Sequence, residues 1–385
     1  MLIKNIMVYR ENGRFSPGTI YVKDGRFADV MNEERMTRAN LAEADDEVID
    51  GCGAYAIPGL IDLHFHGCAG ADFCDADREG FQKIADYEAS AGVTGICPAT
   101  MTVAEEELHK IMQMAAKCRD LPGSRLLGIN MEGPFINPQK KGAQAEEHIR
   151  RCDINLFETF QKEADGLIRL VDLAPEMEGA MEFIDAVKGK AVLSIAHTTA
   201  DYDTAREALE RGVSHVTHLF NAMPPFTHRD PGVVGAAAEH ADCHVELICD
   251  GIHIHPAMVR AAFSMFGKDR IILVSDSMRA AGLKDGEYTL GGQKVYVNQR
   301  KATLEDGTIA GSVTNLMECV RTAVKDMGIP LEDAVQCATK NPAEELGIYD
   351  WCGSISVGKE ADFVLLDNDL NVKAVYISGS EYKGD

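Results

Sequence analysis

Two histidines two residues apart, His64 and His66, end the apolar run in PGLIDLHFHG at residues 58–67. Histidine is costly to bury without a partner. A period of two along a strand puts both imidazoles on one face, as metal chelation requires. Other apolar runs end in polar groups too: Glu132 in LLGINMEG, His197 in AVLSIAHTT, His218 in VSHVTHLFN and Asp276 in IILVSDS. His215 and His218 are three apart and face opposite sides of a strand. His218, nearer the strand end, is the candidate ligand, and His215 is assigned to packing. Singly, each has an ordinary explanation: a chance pair, a capping carboxylate, a satisfied core histidine. One metal site explains them together. Imidazole and carboxylate, with cysteine mostly absent, are the ligands of a catalytic zinc, iron or manganese site rather than a closed structural one.

A divalent metal lowers the pKa of bound water from about 15.7 to about 7, producing hydroxide at neutral pH. His64, His66, Glu132, His197 and His218 are enough ligands for a pair of ions, with Glu132 placed to bridge. Asp276 then has a separate role. The attacking hydroxide must lose a proton and an amine leaving group must gain one, and a carboxylate beside the metal does both in turn. This inventory predicts metal-assisted hydrolysis of an amide.

Residues so far apart in the chain need a scaffold that gathers strand ends. Eight short apolar runs recur: 59–66, 92–100, 126–133, 167–176, 191–199, 213–221, 243–251 and 271–277. Helix-like stretches such as REGFQKIADYEASA and DYDTAREALERG lie between them, with Asp201 and Asp203 as caps for the latter. The alternation predicts an α/β fold, a (β/α)8 TIM-like barrel over residues 57–354, whose C-terminal strand ends converge on one face. Both chain ends read as short strands with turns, so residues 1–56 and 355–385 are expected to form one small β-sandwich domain.

Composition narrows the partners. The net charge of -23 argues against nucleic acid, whose phosphates would be repelled. An anionic substrate then needs its own local positive group. No apolar run approaches a membrane span, and MLIKNIMVYR lacks a signal peptide's apolar core. The eleven cysteines are scattered with no C-x-x-C pair, which fits free thiols in a reducing cytoplasm. Cys68 and Cys74 have no sequence neighbour that makes a nucleophile–base pair, Trp351 reads as packing, and Glu43 to Glu47 as a solvated face.

PGLIDLHFHG, Glu132, His197, His218 and Asp276 resemble the amidohydrolase superfamily, and GSISVGKEADFVLLD resembles its terminal β domain. MEGPF (131–135), KKGAQ (140–144), HLFNAMPPFTHRDPGVVGA (218–236), DGIHIHP (250–256), VSDSMRAAG (274–282) and AGS (310–312) are similar, in order and over almost the whole chain, to the N-acetylglucosamine-6-phosphate deacetylases of that superfamily. The resemblance implies hydrolysis of N-acetylglucosamine 6-phosphate to glucosamine 6-phosphate and acetate, in amino-sugar catabolism. It implies Glu132, His197 and His218 as metal ligands and Asp276 as the catalytic acid and base. It implies Asn221 and Ala222 as sugar-phosphate contacts, and Ala143, His253, Ile309, Ala310 and Gly311 as further substrate contacts. Arg229, assisted by His228, matches a phosphate-binding arginine donated by the neighbouring subunit of a homodimer. One guanidinium fork supplies the positive group that the acidic chain otherwise lacks. Relatives without the H-x-H pair work with one ion, so His64 and His66 imply the two-ion form. The ion is zinc, iron(II), manganese or cobalt, one or two per subunit. Gln144 stands where some relatives carry a histidine that polarises the acetyl carbonyl; its NH2 donates a hydrogen bond but carries no charge. Three rivals remain: the same chemistry on N-acetylgalactosamine 6-phosphate, another amidohydrolase such as a dihydroorotase or D-aminoacylase, and a non-catalytic barrel. The second commonly uses a carboxylated strand lysine, whereas the third and fourth runs here end in Glu132 and Glu176. The third would have lost ligands that this chain keeps.

Overall fold

The computed structural model describes residues 1–32 and 47–384, so the acidic run 43–47 lies outside the described residues except for Glu47. Eight short strands form the barrel. They are Leu60–Asp62, Val93–Ile96, Arg125–Leu126 continued by Ile129–Met131, Ile168–Leu173, Val192–Ile195, His215–Val216, His244–Ile248 and Ile271–Val274. Each pairs in parallel with its sequence neighbours. Beyond the second strand, Thr100 N–H donates to Asn130 O at 2.9 Å and carries the pairing across to the continued third strand. The ring closes where Asp276 N–H donates to His64 O at 2.9 Å and His66 N–H to Ser277 O at 2.7 Å. Runs such as IILV are buried throughout because helices cover a parallel sheet on its outer face.

The helices start where short polar side chains satisfy their free N–H groups. Asp77, Asp153, Asp201 and Asn315 each cap a helix in this way. Asp203 lies inside the first turn of Tyr202–Arg211, so only Asp201 is its cap.

Strands from both chain ends share one eight-stranded sheet. Its order is Ser380–Glu381, Val372–Ile377, Phe363–Leu366, Tyr55–Pro58, Leu2–Tyr9, Phe15–Lys23 and Arg26–Met31, with Val48–Asp50 also on Leu2–Tyr9. Register shifts between Ile3 and Ile6, and between Leu365 and Leu366, bend it. Ile3, Ile20, Phe27, Ala56 and Phe363 belong to an apolar cluster separate from the barrel's. Gly59 alone separates this sheet from the first barrel strand, and a Cβ there would lie 2.0 Å from Thr94 Oγ1.

A four-stranded antiparallel sheet, Gly286–Leu290, Gln293–Asn298, Lys301–Thr303 and Ile309–Ser312, follows the eighth barrel strand and was not expected from the sequence. Among the described residues no helix is long and apolar enough to cross a membrane.

Candidate active site

Five barrel strands deliver the candidate ligands just past their C-terminal ends: His64 and His66 from the first, Glu132 from the third, His197 from the fifth, His218 from the sixth and Asp276 from the eighth. Glu132 sits at the centre. Its Oε1 lies 2.9 Å from His197 Nε2, 3.3 Å from His218 Nε2 and 3.6 Å from His64 Nε2. Its Oε2 lies 3.4 Å from His66 Nε2, which is 3.3 Å from Asp276 Oδ1. Two groups of three result, His64–His66–Asp276 and Glu132–His197–His218, each with donor atoms within 4.8 Å of one another. His197, His218 and Asp276 have positive φ, at 45°, 31° and 47°, and such strained non-glycine backbone concentrates at functional sites. Gly133, at φ 77°, lets the chain pass Thr102, whose Oγ1 would lie 2.0 Å from a Cβ.

The second ring nitrogens turn the histidines inward. His66 Nδ1 faces Ala99 O at 3.4 Å, His197 Nδ1 faces Lys140 O at 2.8 Å and His64 Nδ1 faces Glu246 Oε2 at 2.9 Å. An N–H donated there leaves the Nε2 lone pair aimed at Glu132. Acceptor atoms this close need a cation or protons between them, and His64 Nε2 is buried with no hydrogen-bond partner. This donor set fits a divalent ion. Burial alone would lower the histidine pKa values, but Glu246 and Glu132 hold His64, Asp276 and Glu132 hold His66, and Glu132 holds His197 above the ordinary imidazole range. Burial would raise Glu132, yet His64, His197 and His218 keep it well below the usual carboxylate range. Burial would likewise raise Asp276, but His66, His64 and His253 lower it, so it is a carboxylate at neutral pH.

Above the ligands opens a cavity of about 500 Å³. Of the sequence-predicted substrate residues, Ala143, Gln144, Asn221, Ala222, His253, Ile309 and Gly311 line it. Ala310 is fully buried, and the exposed His228 and Arg229 do not line the cavity of their own chain. Gln144 is pinned, its Nε2 donating to Glu132 Oε2 at 2.9 Å and its Oε1 accepting from Thr102 N–H at 2.6 Å. It therefore braces the candidate ligand Glu132 from the cavity lining. Glu176 bonds Asn137 and Thr199 and belongs to neither ligand group.

Sequence reasoning missed Lys140 and Lys141, which line the cavity beside Asp306 and Thr308 of the added sheet. The adjacent lysines of KKGAQ in an acidic chain were the available signal. It also misassigned His215. The sixth strand ends at Val216, so strand parity does not extend to His218. Far from being simple packing, the His215 ring faces two carboxylates.

A family model described as the amidohydrolase family matches residues 55–381. The chain is 40% identical over 384 residues to an N-acetylglucosamine-6-phosphate deacetylase of Bacillus subtilis (strain 168), covering 97% of this chain and 94% of that protein. It is 35% identical over 343 residues to an N-acetylgalactosamine-6-phosphate deacetylase of Escherichia coli O157:H7, covering 88% and 89%. A mutant of N-acetyl-D-glucosamine-6-phosphate deacetylase from Mycobacterium smegmatis, solved in complex with N-acetyl-D-glucosamine-6-phosphate, superposes with a TM-score of 0.91 at 31% identity, covering 99% of this chain and 98% of that one.

Proposed function

The chain belongs to the amidohydrolase family, and on that premise we propose that it hydrolyses the acetamide of N-acetylglucosamine 6-phosphate to glucosamine 6-phosphate and acetate, in amino-sugar catabolism. One observation carries the reading: two three-residue ligand groups meet at Glu132 beneath a cavity of about 500 Å³, within the size range of small-molecule sites.

Glu132, His197 and His218 would hold one ion and His64 and His66 a second, with zinc, iron(II), manganese or cobalt all compatible with these ligands. When bound, such an ion lowers the pKa of coordinated water to about 7 and polarises a carbonyl oxygen. Asp276, ionised in spite of its burial, takes the proton released as water adds to the acyl carbon. It then gives that proton to the departing amine nitrogen. Gln144 keeps Glu132 oriented throughout. His253, whose Nδ1 is held by Asp250 at 2.8 Å, keeps Nε2 for a sugar hydroxyl. Asn221, Ala222, Ala143, Ile309 and Gly311 are read as sugar-phosphate contacts. Lys140 and Lys141 bring positive charge to the same cavity, which favours an anionic substrate in a chain of net charge -23. Arg229 and His228, exposed and outside their own cavity, are assigned to the site of a second copy in a homodimer. Eleven free thiols support a cytoplasmic setting.

The test is acetate release from both epimeric N-acetylhexosamine 6-phosphates, before and after chelation and after reloading with each metal. We expect activity lost on chelation, restored by metal, and highest kcat/KM on the gluco epimer. A preference for the galacto epimer would move the assignment to that substrate. No release from either would overturn the reading.

A further inference from the structure

We infer that Glu246 and Glu345 are positioning residues for the metal centre, acting on His64 through a buried ladder of alternating imidazoles and carboxylates. The inference rests on the metal centre proposed above. Glu246 lies in the middle of barrel strand His244–Ile248, and its side chain is wholly buried. Its Oε2 is 2.9 Å from His64 Nδ1 and accepts from His218 N–H at 3.0 Å. Its Oε1 is 3.1 Å from His215 Nε2. His215 Nδ1 is in turn 3.0 Å from Glu345 Oε1, and Glu345 Oε2 is 2.6 Å from His244 Nδ1. Glu345 ends helix Lys340–Glu345, whose Ala343 packs with Leu170, Ile248, Ile272 and Val274 of the barrel strands, and His244 reaches the surface with a side chain 23% exposed.

Burying two carboxylates and an imidazole inside a barrel often stabilises less than apolar side chains of the same volume. Valine, isoleucine or leucine is the ordinary occupant of such a position. What the ladder supplies is direction. Both ring nitrogens of His215 face carboxylate oxygens, so both donate, and neither a ring flip nor a tautomer change leaves the contacts intact. The pKa of His215, pulled up to about 10 by Glu246 and Glu345 against the effect of burial, agrees with a permanent imidazolium. Glu246 is thereby locked with one oxygen free for His64. His64 must donate from Nδ1, and its unpartnered Nε2 points between Glu132 Oε1 at 3.6 Å and Asp276 Oδ1 at 3.9 Å. The same oxygen holds the backbone of His218, so one carboxylate fixes a member of each ligand group.

The experiment is calorimetric titration of the chelator-stripped full chain with Zn2+, repeated with Co2+ to follow the visible spectrum of each site. Wild type is expected to take up two ions. Glu246→Gln should weaken one of them about 10- to 100-fold, as loss of a partner that orients a metal-bound histidine does. Glu345→Gln, which cannot touch an ion, should weaken the same one by a smaller factor. In a His64→Ala background most of the Glu246→Gln effect should disappear, because residues acting through one another are not additive. Unchanged affinities in Glu246→Gln, or a full loss persisting without His64, would overturn the inference. If Glu246→Gln does not fold, unchanged affinities in Glu345→Gln overturn it equally. Wild type that takes up fewer than two ions overturns the inference and the two-ion reading together, whereas two ions bound alike by every variant overturn the inference alone.

Discussion

Replacing Gln144 with alanine tests whether Glu132 is held through Oε2, the oxygen that also faces His66. Two buried hydrogen bonds are lost: Nε2 to Glu132 Oε2 at 2.9 Å and Thr102 N–H to Oε1 at 2.6 Å. A hydrogen bond to a charged group contributes about 1.5–3 kcal/mol, and a buried N–H left without an acceptor costs about 1–3 kcal/mol. Gln144 lines the cavity, so water can replace part of both. The expected net loss is about 2–4 kcal/mol. An unfolding entropy of about 2.1 cal/mol/K per residue gives a chain of 385 residues about 0.8 kcal/mol/K, so this loss lowers Tm by about 2–5 °C. Differential scanning calorimetry of the chelator-stripped protein reads that shift. Gln144→Glu, which sets a second carboxylate against Glu132, should cost more than Gln144→Ala. Zn2+ affinity should fall about 10- to 100-fold in Gln144→Ala because Glu132 faces both ligand groups. A Tm change below about 1 °C with unchanged Zn2+ affinity would refute the clamp, since the magnitude follows directly from the two lost bonds.

Asp276→Asn keeps the shape of the side chain but cannot accept the proton, so turnover should fall about 10²- to 10⁴-fold while elemental analysis still finds the ion held by Glu132, His197 and His218; near-normal turnover would remove Asp276 from the mechanism. Arg229→Ala should raise KM for the 6-phosphate at least about tenfold and leave unphosphorylated N-acetylglucosamine unaffected, consistent with loss of a charge-assisted phosphate contact; an equal effect on both would mean that this arginine does not bind phosphate. Burial would raise Glu345, but His215 and His244 hold it at about 2 against an ordinary 4.5. A depressed carboxylate stabilises fully above its unfolded pKa, and that contribution, about 3 kcal/mol here, is lost as the pH falls from 4.5 through about 2. Acid unfolding of the chelator-stripped Glu345→Gln protein should show a shallower loss over that window, and an identical slope would remove the contribution.

The barrel was legible because each of the eight apolar runs contains a strand and the stretches between them carry helix signals, as with Asp201 before Tyr202–Arg211. The added sheet was not, although Gly291-Gly292 and Asp306-Gly307 mark its turns, because turn chemistry says nothing about which face a hairpin covers. His64 and Glu132 were conspicuous as polar ends to apolar runs. Glu246 sits inside such a run, and its partner His64 is 182 residues away. Gln144 was noticed for the charge it cannot carry, but its role depends on Thr102 and Glu132 flanking it at once. Such pairings are decided by barrel closure, and spacing along the chain does not express them.

The same limit explains why strand parity failed at the centre of the site. Period two would send alternate residues to opposite faces of a strand. Past the strand ends that rule no longer applies, and His197, His218 and Asp276 instead take left-handed backbone at φ 45°, 31° and 47°. Each such residue costs about 1–3 kcal/mol, so the three together are comparable with much of a domain's net stability of about 5–15 kcal/mol. The surroundings hold them there. Asp276 N–H is tied to His64 O at 2.9 Å, His218 N–H to Glu246 Oε2 at 3.0 Å, and the residue after His197 to Ala222 O at 3.1 Å. The left-handed turn swings each side chain off the strand's own alternation and over the mouth of the barrel. Imidazoles from three strands can then meet at the carboxylate of a fourth, with Asp276 of a fifth against His66, and a relaxed backbone at these three positions would scatter them.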